Sequence, residues 1–491
     1  MISKKFITSS AIYTFSSALS TVASFLLLPF YTNTRLLNVA DFGVLAIYIS
    51  LAMLVQILVS MSLDFYISVV YHELKNDPEK LREKISSLNG YMIFAAAIVA
   101  LLFAVGGGLF IKNFVDNPNP ASFRYMMMSV ATGIFNAHFK FYNSLLVNRE
   151  KPWVYLWANL FNFVATVGFS LAVLMMFPLT LEGPIWGRFL SCACIFAWSF
   201  IAITSKYGIA FKREFIKPTF TFCLPLLLTT IFQWVLSYSD RYIIKPLLFN
   251  KQLAIFDLAV RFTLLVNFLI DGLNAAISPR IYHLLNNNEG NKNEAEINKY
   301  YSSFSLVVLL LIPLNVLVLP VILPLFIGDA KYLDAFLYLG IVCAGFATRG
   351  MLNVFSFPIY FNKKTTRLIY INATAAFLQI ALGYLMIRYF KLYGAAFTQL
   401  IMKVALIGLY ALFIKGIELP KFNNVKMIVL PALVIIAESI PELFIHEYGL
   451  KMHLIHLLEA VTIFILALSV YRREIFDFVK FIFLKSNKNS V

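Results

Sequence analysis

The sequence has few charged residues, and no connection between its apolar segments is long enough to form a folded domain. Only 13% of its 491 residues are Asp, Glu, Lys or Arg, whereas 60% are hydrophobic. A soluble protein could not bury that much apolar surface, so we predict an all-α polytopic membrane protein. The apolar segments are continuous and do not show the alternation that is typical of a membrane β-barrel.

Several other features that the sequence lacks exclude classes of function. The four cysteines all lie in apolar segments, which predicts buried small side chains and no disulfide framework. No nucleotide-binding motif is present, and an ATP-driven pump would require one. The net charge of +16 could indicate either nucleic-acid binding or basic loops on one side of a membrane. The second interpretation is favoured, because the sequence has no domain outside the apolar segments that combines aromatic and basic residues to bind nucleic acid. We therefore expect no nucleic acid, no cofactor and no metal.

The apolar segments predict about fourteen transmembrane helices, since a helix needs roughly 20 residues to cross a bilayer. Lysine and arginine concentrate in alternate connections, which places both termini in the cytoplasm under the positive-inside rule. The first segment lacks a clear cleavage site, so we interpret it as an uncleaved span.

Short sequence echoes indicate that the chain is doubled: residues 45–48 resemble 253–256, and residues 145–151 resemble 359–365. Two six-helix bundles would share one orientation, related by a pseudo-two-fold axis along the membrane normal, with a substrate site between them. The predicted domains are an N-terminal six-helix bundle at 1–206, a cytoplasmic linker at 207–218, a C-terminal six-helix bundle at 219–416, and two extra transmembrane helices with a basic cytoplasmic tail at 417–491.

The stretch at 251–280 is apolar enough to span a bilayer, yet it carries charges. At helical spacing, Asp257, Arg261, Asn267, Asp271 and Asn274 fall on one side of the helix. A charge at mid-membrane costs about 2.5–3.5 kcal/mol, so this polar face needs a partner. Our favoured interpretation is a water-filled cavity along a substrate pathway. The alternative is an ion pair between Asp257 and Arg261, four residues apart, that only holds the helices together.

Polar residues recur at three- and four-residue spacing in further spans. The stripes are Gln56, Ser60 and Asp64; Ser129, Thr132, Asn136, Lys140 and Asn143; Gln233, Ser237 and Asp240; and Arg349, Asn353, Ser356 and Tyr360. Each stripe either lines a cavity or joins helices by hydrogen bonds. Arginine suits a diphosphate, because its planar guanidinium binds phosphate oxygens in pairs. Lys140 and Arg188 have the alternative of extending to the membrane interface.

The candidate residues follow from these stripes and from the turn after the first span. The predicted substrate-binding residues are Arg261, Arg349, Lys140, Asn136, Asn267, Asn353 and Arg35, and the predicted ion-coupling residues are Asp64, Asp257, Asp271 and Asp240. His453, His456 and Glu459 have the helical spacing of metal ligands. In an amphipathic last span, however, we interpret them as a solvated or interfacial face.

Four short motifs stand out along the chain: Pro29 near the end of the first span, Arg-Leu-Leu at 35–37, Asp-Phe-Gly at 41–43 and Ser-Asp-Arg-Tyr at 239–242. With these motifs the chain resembles, over roughly residues 10–415, polysaccharide-unit flippases of the O-antigen and capsule type. One departure is that no arginine follows Asp64 before the aromatic and acidic end of that segment. The two extra spans resemble those of peptidoglycan-precursor flippases.

The resemblance implies a member of the multidrug/oligosaccharidyl-lipid/polysaccharide exporter superfamily in the bacterial inner membrane. Its substrate would be an undecaprenyl-diphosphate-linked oligosaccharide repeat unit, as in lipopolysaccharide O-antigen biosynthesis, moved by alternating access without covalent chemistry. Such a protein is not an enzyme. The implied partners are membrane lipids, a polysaccharide polymerase and a chain-length regulator. One alternative is a cation-coupled multidrug exporter of the same superfamily. Another is a membrane polysaccharide polymerase or ligase, against which the short outer connections argue.

Overall fold

The computed structural model describes residues 4–115, 120–286, 291–362, 364, 366–445, 447, 449–472 and 474–476. Within these residues the chain is helical and contains no β-strand, which confirms the predicted all-α class. Eleven helical segments of this described part are long and apolar enough to cross a membrane, and some of them contain two predicted spans. The protein is therefore a multi-pass membrane protein. Lys363 and the tail residues Lys480, Lys485 and Lys488 lie outside the described residues.

The chain packs as two compact units, and the first comprises Met1–Ala254 with Ile327–Asp329. Its helices are α1 (Lys4–Tyr31), α2 (Val39–Ser60), α3 (Leu63–Glu73), α4 (Pro78–Phe114), α5 (Pro120–Asn148), α6 (Pro152–Met176), α7 (Glu182–Tyr207) and α8 (Ile216–Leu248). Helix α6 packs against α1 and α7, while α5 packs against α2 and α7.

Local sequence features set the ends and contacts of these helices. Met61 and Ser62 adopt left-handed backbone conformations, with φ values of 44° and 58°, and they separate α2 from α3. Asp77 caps α4 by accepting a hydrogen bond from the Lys80 backbone N–H, and this bond holds the pKa of Asp77 below its usual range. A Cβ at Gly133 would lie only 2.4 Å from the Ala52 carbonyl oxygen, so glycine permits the close approach of α5 to α2.

The second unit comprises Ile255–Phe326 and Ala330–Val491. Its helices are α9 (Asn250–Phe262, which begins in the first unit), α10 (Leu264–Asn286), α11 (Asn291–Ile322), α12 (Leu339–Ala344), α13 (Arg349–Phe361), α14 (Thr366–Phe413), α15 (Leu430–Ser439) and α16 (Leu450–Val470). Short 3-10 segments precede and follow α12, at Ala330–Tyr338 and Gly345–Thr348, and another follows α15 at Pro441–Leu443.

The helices of the second unit are less continuous than the apolar pattern predicts. The stretch at 251–280, which we expected to be one helix, is interrupted between α9 and α10 at Thr263. Helix α14 contains two predicted spans, because Lys391 has a non-helical backbone conformation in its middle. Helix α8, which covers the start of the predicted C-terminal bundle at 219–416, packs within the first unit. The proposed sequence repeat and the domain boundaries derived from it stay predictions.

Candidate functional site

The first unit contains a partly open pocket between α2, α5 and α7. Its lining residues are Leu45, Tyr48, Ile49, Ala52, Met53, Gln56, Ser129, Thr132, Asn136, Ile185 and Arg188. The Ser129 and Thr132 hydroxyls donate hydrogen bonds to backbone carbonyls of their own helix, at 2.9 and 2.8 Å. The pocket therefore combines a predicted polar stripe of α5 with Gln56 of α2.

Arg188 supplies the positive charge of this pocket. Its side chain is half-buried, and its Nε atom is buried without a hydrogen-bond partner among the described residues. The amide of Asn136 lines the same pocket, and its Oδ1 accepts a hydrogen bond from the Cys192 thiol at 3.3 Å. The sequence pattern did not place Arg188 in a stripe, because α7 shows no run of polar residues at helical spacing. The only available signal was a cation within an apolar segment.

Lys140 and Asp64 pair within the first unit. The Lys140 ammonium lies 2.9 Å from an Asp64 carboxylate oxygen, and it also lies over the Phe65 ring. Asp64 is buried at the start of α3, while the Lys140 side chain on α5 is 42% exposed. The structure thus joins a predicted substrate-binding residue and a predicted ion-coupling residue in one interhelical ion pair. The alternative that Lys140 extends to the membrane interface stays a prediction.

Asp257 and Arg261 form the ion pair that their spacing allows. The Arg261 Nε donates to an Asp257 carboxylate oxygen at 2.6 Å, within α9. Their relative exposures are only 2% for Asp257 and 9% for Arg261, so the pair is buried in this structure. Of the two interpretations of this helical face, the structure contains the contact of the ion-pair alternative. The predicted roles of the two residues in substrate binding and ion coupling stay predictions.

Helices α10 and α13 bring four of the predicted polar residues together. The Arg349 guanidinium donates to the Asn267 side-chain carbonyl at 3.1 Å, and the Asn353 amide donates to the Asn274 carbonyl at 2.6 Å. Asp271 lies on the same face of α10 and is exposed. The polar faces that the sequence predicts for these two spans therefore face each other within the second unit.

A second cation accompanies Arg349. The Lys403 ammonium lies 4.0 Å from the centre of the Phe346 ring, and the Arg349 guanidinium lies 5.9 Å from the same ring. Lys403 also donates to the Val342 carbonyl at 3.2 Å. In the sequence Lys403 is a single cation in an apolar segment, and no local pattern connects it with Val342 or Phe346.

Two predicted site residues lie elsewhere. Arg35 is exposed in the turn after α1, where its backbone N–H donates to the Asn33 side chain. Asp240 is buried on α8, and its carboxylate lies 3.1 Å from the guanidinium of the adjacent Arg241. Neither residue lines the pocket of the first unit.

More than half of the sequence matches a known protein family. Residues 34–330 match the profile of a family described as polysaccharide biosynthesis protein, which is more than half of the chain. The chain belongs to this family. The resemblance read from residues 29–43 and 239–242 is therefore confirmed. A search of curated proteins gives no significant match.

Solved structures define the fold. The chain is similar to the lipid II flippase MurJ in an inward closed conformation, with a TM-score of 0.69 and 14% identity over 96% of this chain and 100% of that one. It is also similar to an inward-facing multidrug resistance MATE family transporter of the MOP superfamily, with a TM-score of 0.62 and 14% identity over 80% of this chain and 97% of that one. At these identities the likeness establishes the fold.

Proposed function

We propose that this protein is a flippase that moves an undecaprenyl-diphosphate-linked oligosaccharide repeat unit across the bacterial inner membrane by alternating access, with both termini in the cytoplasm. Its family is described by polysaccharide biosynthesis, and its fold is shared with a protein named as a lipid II flippase. The observation that carries the proposal is the half-buried Arg188, whose Nε has no hydrogen-bond partner among the described residues and which lines the same partly open pocket as the Asn136 amide.

The chemistry of such a substrate matches these side chains. Charged phosphates cannot enter hydrocarbon without losing their hydration, which is very costly. A guanidinium replaces part of that hydration with two parallel hydrogen bonds to phosphate oxygens. We assign diphosphate contacts to Arg188 and Arg349, and sugar hydroxyl contacts to the amides of Asn136 and Asn353. The lipid chain would stay in the bilayer, so the protein needs no covalent step.

The substrate would be an O-antigen or another surface polysaccharide unit, delivered to a polymerase and a chain-length regulator. Complementation tests this assignment. The protein is expressed in a bacterium that lacks its own repeat-unit flippase, and both surface polymer and accumulated lipid-linked units are measured. Restored polymer together with cleared intermediate is the expected result. The proposal is contradicted if the lipid-linked intermediate persists in hosts with several different repeat units although the protein is correctly inserted in the membrane.

Variants then test the assigned contacts. Arg188→Ala and Arg349→Ala should each reduce surface polymer by about tenfold, since each removes a charge-assisted hydrogen bond worth roughly 1.5–3 kcal/mol. Arg388→Ala is the matched control, because Arg388 is exposed and, among the described residues, it donates only a long hydrogen bond of 3.4 Å to the Tyr384 hydroxyl. If both test variants are present at normal protein levels and surface polymer is unchanged, the assigned contacts are excluded.

A cation-coupled multidrug exporter is the second candidate. It is favoured by the fold shared with a multidrug transporter and by the exposed carboxylate of Asp271 on α10, which suits an organic cation, a proton or sodium. Drug-resistance profiles of a deletion strain separate the candidates. Increased drug sensitivity with normal surface polysaccharide would favour the exporter.

A further inference from the structure

The last helices of the second unit bury a cluster of acidic residues and one histidine. Glu438 lies near the end of α15 and Glu442 in the 3-10 segment that follows it, while His456 and Glu459 lie on α16. The relative exposure is 0% for Glu438 and Glu442, and 2% for His456. The sequence-based interpretation of His456 as part of a solvated or interfacial face is therefore wrong: α15 and the segment after it cover this side of α16.

The side chains of this cluster converge on one point. One ligand atom each from Glu438, His456 and Glu459 lie within 4.8 Å of one another. The His456 Nδ1 is 2.8 Å from a Glu459 oxygen, and its Nε2 is 3.7 Å from a Glu442 oxygen. That Glu442 oxygen accepts a hydrogen bond from the backbone N–H of Gly340, at 3.1 Å. Three separate segments thus fix the cluster.

Within the described residues, no lysine or arginine neutralises these carboxylates. Both carboxylate oxygens of Glu438 are buried without a hydrogen-bond partner in the described part of the chain. Among the ion pairs of the described residues, the only side-chain nitrogen within 4.0 Å of a Glu442 or Glu459 oxygen belongs to His456, and no ion pair includes Glu438. Burial of ionised carboxylates costs several kcal/mol each unless a positive charge compensates them. The cluster therefore requires protons or a bound cation.

The composition of the cluster favours a metal ion. Carboxylate oxygens with an imidazole nitrogen form the donor set of zinc and of related divalent transition metals. An imidazole that is fixed by a carboxylate on its other nitrogen is the usual arrangement around a metal-bound histidine. Here the Nδ1 of His456 lies 2.8 Å from Glu459, so these two atoms can face the same ion. The other ring nitrogen, Nε2, has no hydrogen-bond partner among the described residues and lies 3.7 Å from Glu442, which can therefore orient the ring once the ion is bound.

We propose that Glu438, His456 and Glu459 bind one divalent metal ion of the zinc and manganese class, with Glu442 orienting the histidine. In a tetrahedral zinc site the ligand atoms are about 3.4 Å apart, so these side chains must approach one another by about 1 Å when the ion binds. The ion would join α15 to α16, the two helices that extend beyond the predicted twelve-helix core.

Metal content of the whole protein tests the proposal directly. The full chain is purified in detergent without a polyhistidine tag, stripped with a chelator, exposed to ZnCl₂ or MnCl₂, and dialysed. One ion per chain and a raised melting temperature are expected for one of the two metals. A protein that retains neither metal after dialysis, and whose melting temperature neither metal changes, would overturn the proposal. A melting temperature that rises only on acidification would then assign the compensation to protons.

Variants locate the ion. Glu438→Gln and Glu459→Gln should each weaken metal binding by at least about 100-fold, and Glu442→Gln by about 10–100-fold through the orientation of His456. Glu474→Gln is the matched control, because Glu474 is a largely buried glutamate of the same unit that pairs with Lys426 at 2.6 Å, outside the cluster. Equal metal content in the Glu438 variant and the control would overturn the assignment.

A spectroscopic measurement on the unmodified chain covers the case in which a variant fails to fold. Cobalt(II) substitutes for zinc and gives visible absorption bands whose intensity reports a site of low coordination number. We expect these bands on addition of CoCl₂ to the stripped protein, and their loss on competition with ZnCl₂. Absence of both the bands and a zinc-dependent melting shift would contradict the proposal.

Discussion

Two regions of the second unit bury carboxylates in different ways. On α9, Asp257 is paired with Arg261, four residues later in the same helix. Between α15 and α16, Glu438, Glu442 and Glu459 gather around His456, and no lysine or arginine of the described residues pairs with them. A spacing of four residues in the sequence therefore predicts an ion pair within one helix. A cluster that distant segments form carries buried negative charge that no lysine or arginine of the described residues neutralises.

The comparison separates a structural role from a binding role. A buried ion pair is neutral overall, and its main effect is the cost of losing either partner. A buried acidic cluster without a cation, in contrast, gains stability from whatever positive charge it captures. Mutations that remove the positive charge beside Asp257 should therefore differ from mutations that disturb the acidic cluster. The two groups should differ in the size of the stability loss and in whether an added cation reverses it.

The largest expected effect is on α9. Arg261→Ala removes the guanidinium that pairs with the buried Asp257 carboxylate and should lower the free energy of unfolding by about 3–5 kcal/mol, measured by titration with SDS in mixed micelles. The double variant Asp257→Asn with Arg261→Gln should recover most of that loss, because neither residue is then charged. Equal instability of the single and double variants would show that the contact packs the helices rather than neutralising charge.

The contact between the acidic cluster and α12 should give the next largest effect. A Cβ at Gly340 would lie 2.5 Å from a Glu442 oxygen and 2.6 Å from the Glu438 carbonyl oxygen. Gly340→Ala should therefore cost about 1–3 kcal/mol by overpacking. Gly408→Ala on α14 is the control: a Cβ there meets nothing within 4 Å, so helix propensity alone should stabilise it by up to about 1 kcal/mol. If the two variants are equally stable, the close approach of α12 is not maintained in the membrane.

Much of this fold could be read from the sequence, because apolar length and periodicity are local properties. The stretch at 251–280 predicted a helix and a polar face, and both are present. Its interruption at Thr263 was not predictable, since no glycine or proline marks that position. Glu438 and Pro441 interrupt the apolar segment near 426–445 in the sequence, and in the structure this segment is the short helix α15 followed by a 3-10 segment.

The candidate sites were predictable only where one helix carries several polar residues. The stripe with Asn136 and the faces with Asn267, Asn274, Arg349 and Asn353 met this condition. Arg188 and Lys403 stand alone in apolar segments, so their neighbours became visible only after folding. The convergence of Glu438 with His456 joins residues on different helices, and neither helix by itself shows that the two side chains meet.

The ion pair between Lys140 and Asp64 lies between the two extremes of the comparison. Asp64 is 9% exposed in its side chain, but the Lys140 side chain is 42% exposed, so solvent screens part of the interaction. We expect Lys140→Met to lower the free energy of unfolding by about 1–2 kcal/mol, because Asp64 loses its compensating charge. Addition of Asp64→Asn to this variant should restore stability. A further loss in the double variant would mean that Asp64 is held mainly by other contacts.

The smallest effect is expected at the exposed ion pair between Arg280 of α10 and Glu296 of α11. Their nitrogen and oxygen atoms are 2.7 Å apart, but the two side chains are 48% and 38% exposed. Glu296→Gln should therefore change the free energy of unfolding by only about 0.2–1 kcal/mol, and the difference should vanish at high salt, because mobile ions screen exposed charges. The same salt series on Arg261→Ala should leave its large loss nearly unchanged, since the Asp257 carboxylate is buried. Equal salt dependence of the two variants would show that Asp257 is reached by solvent, and the cavity interpretation of α9 would then be favoured over the structural ion pair.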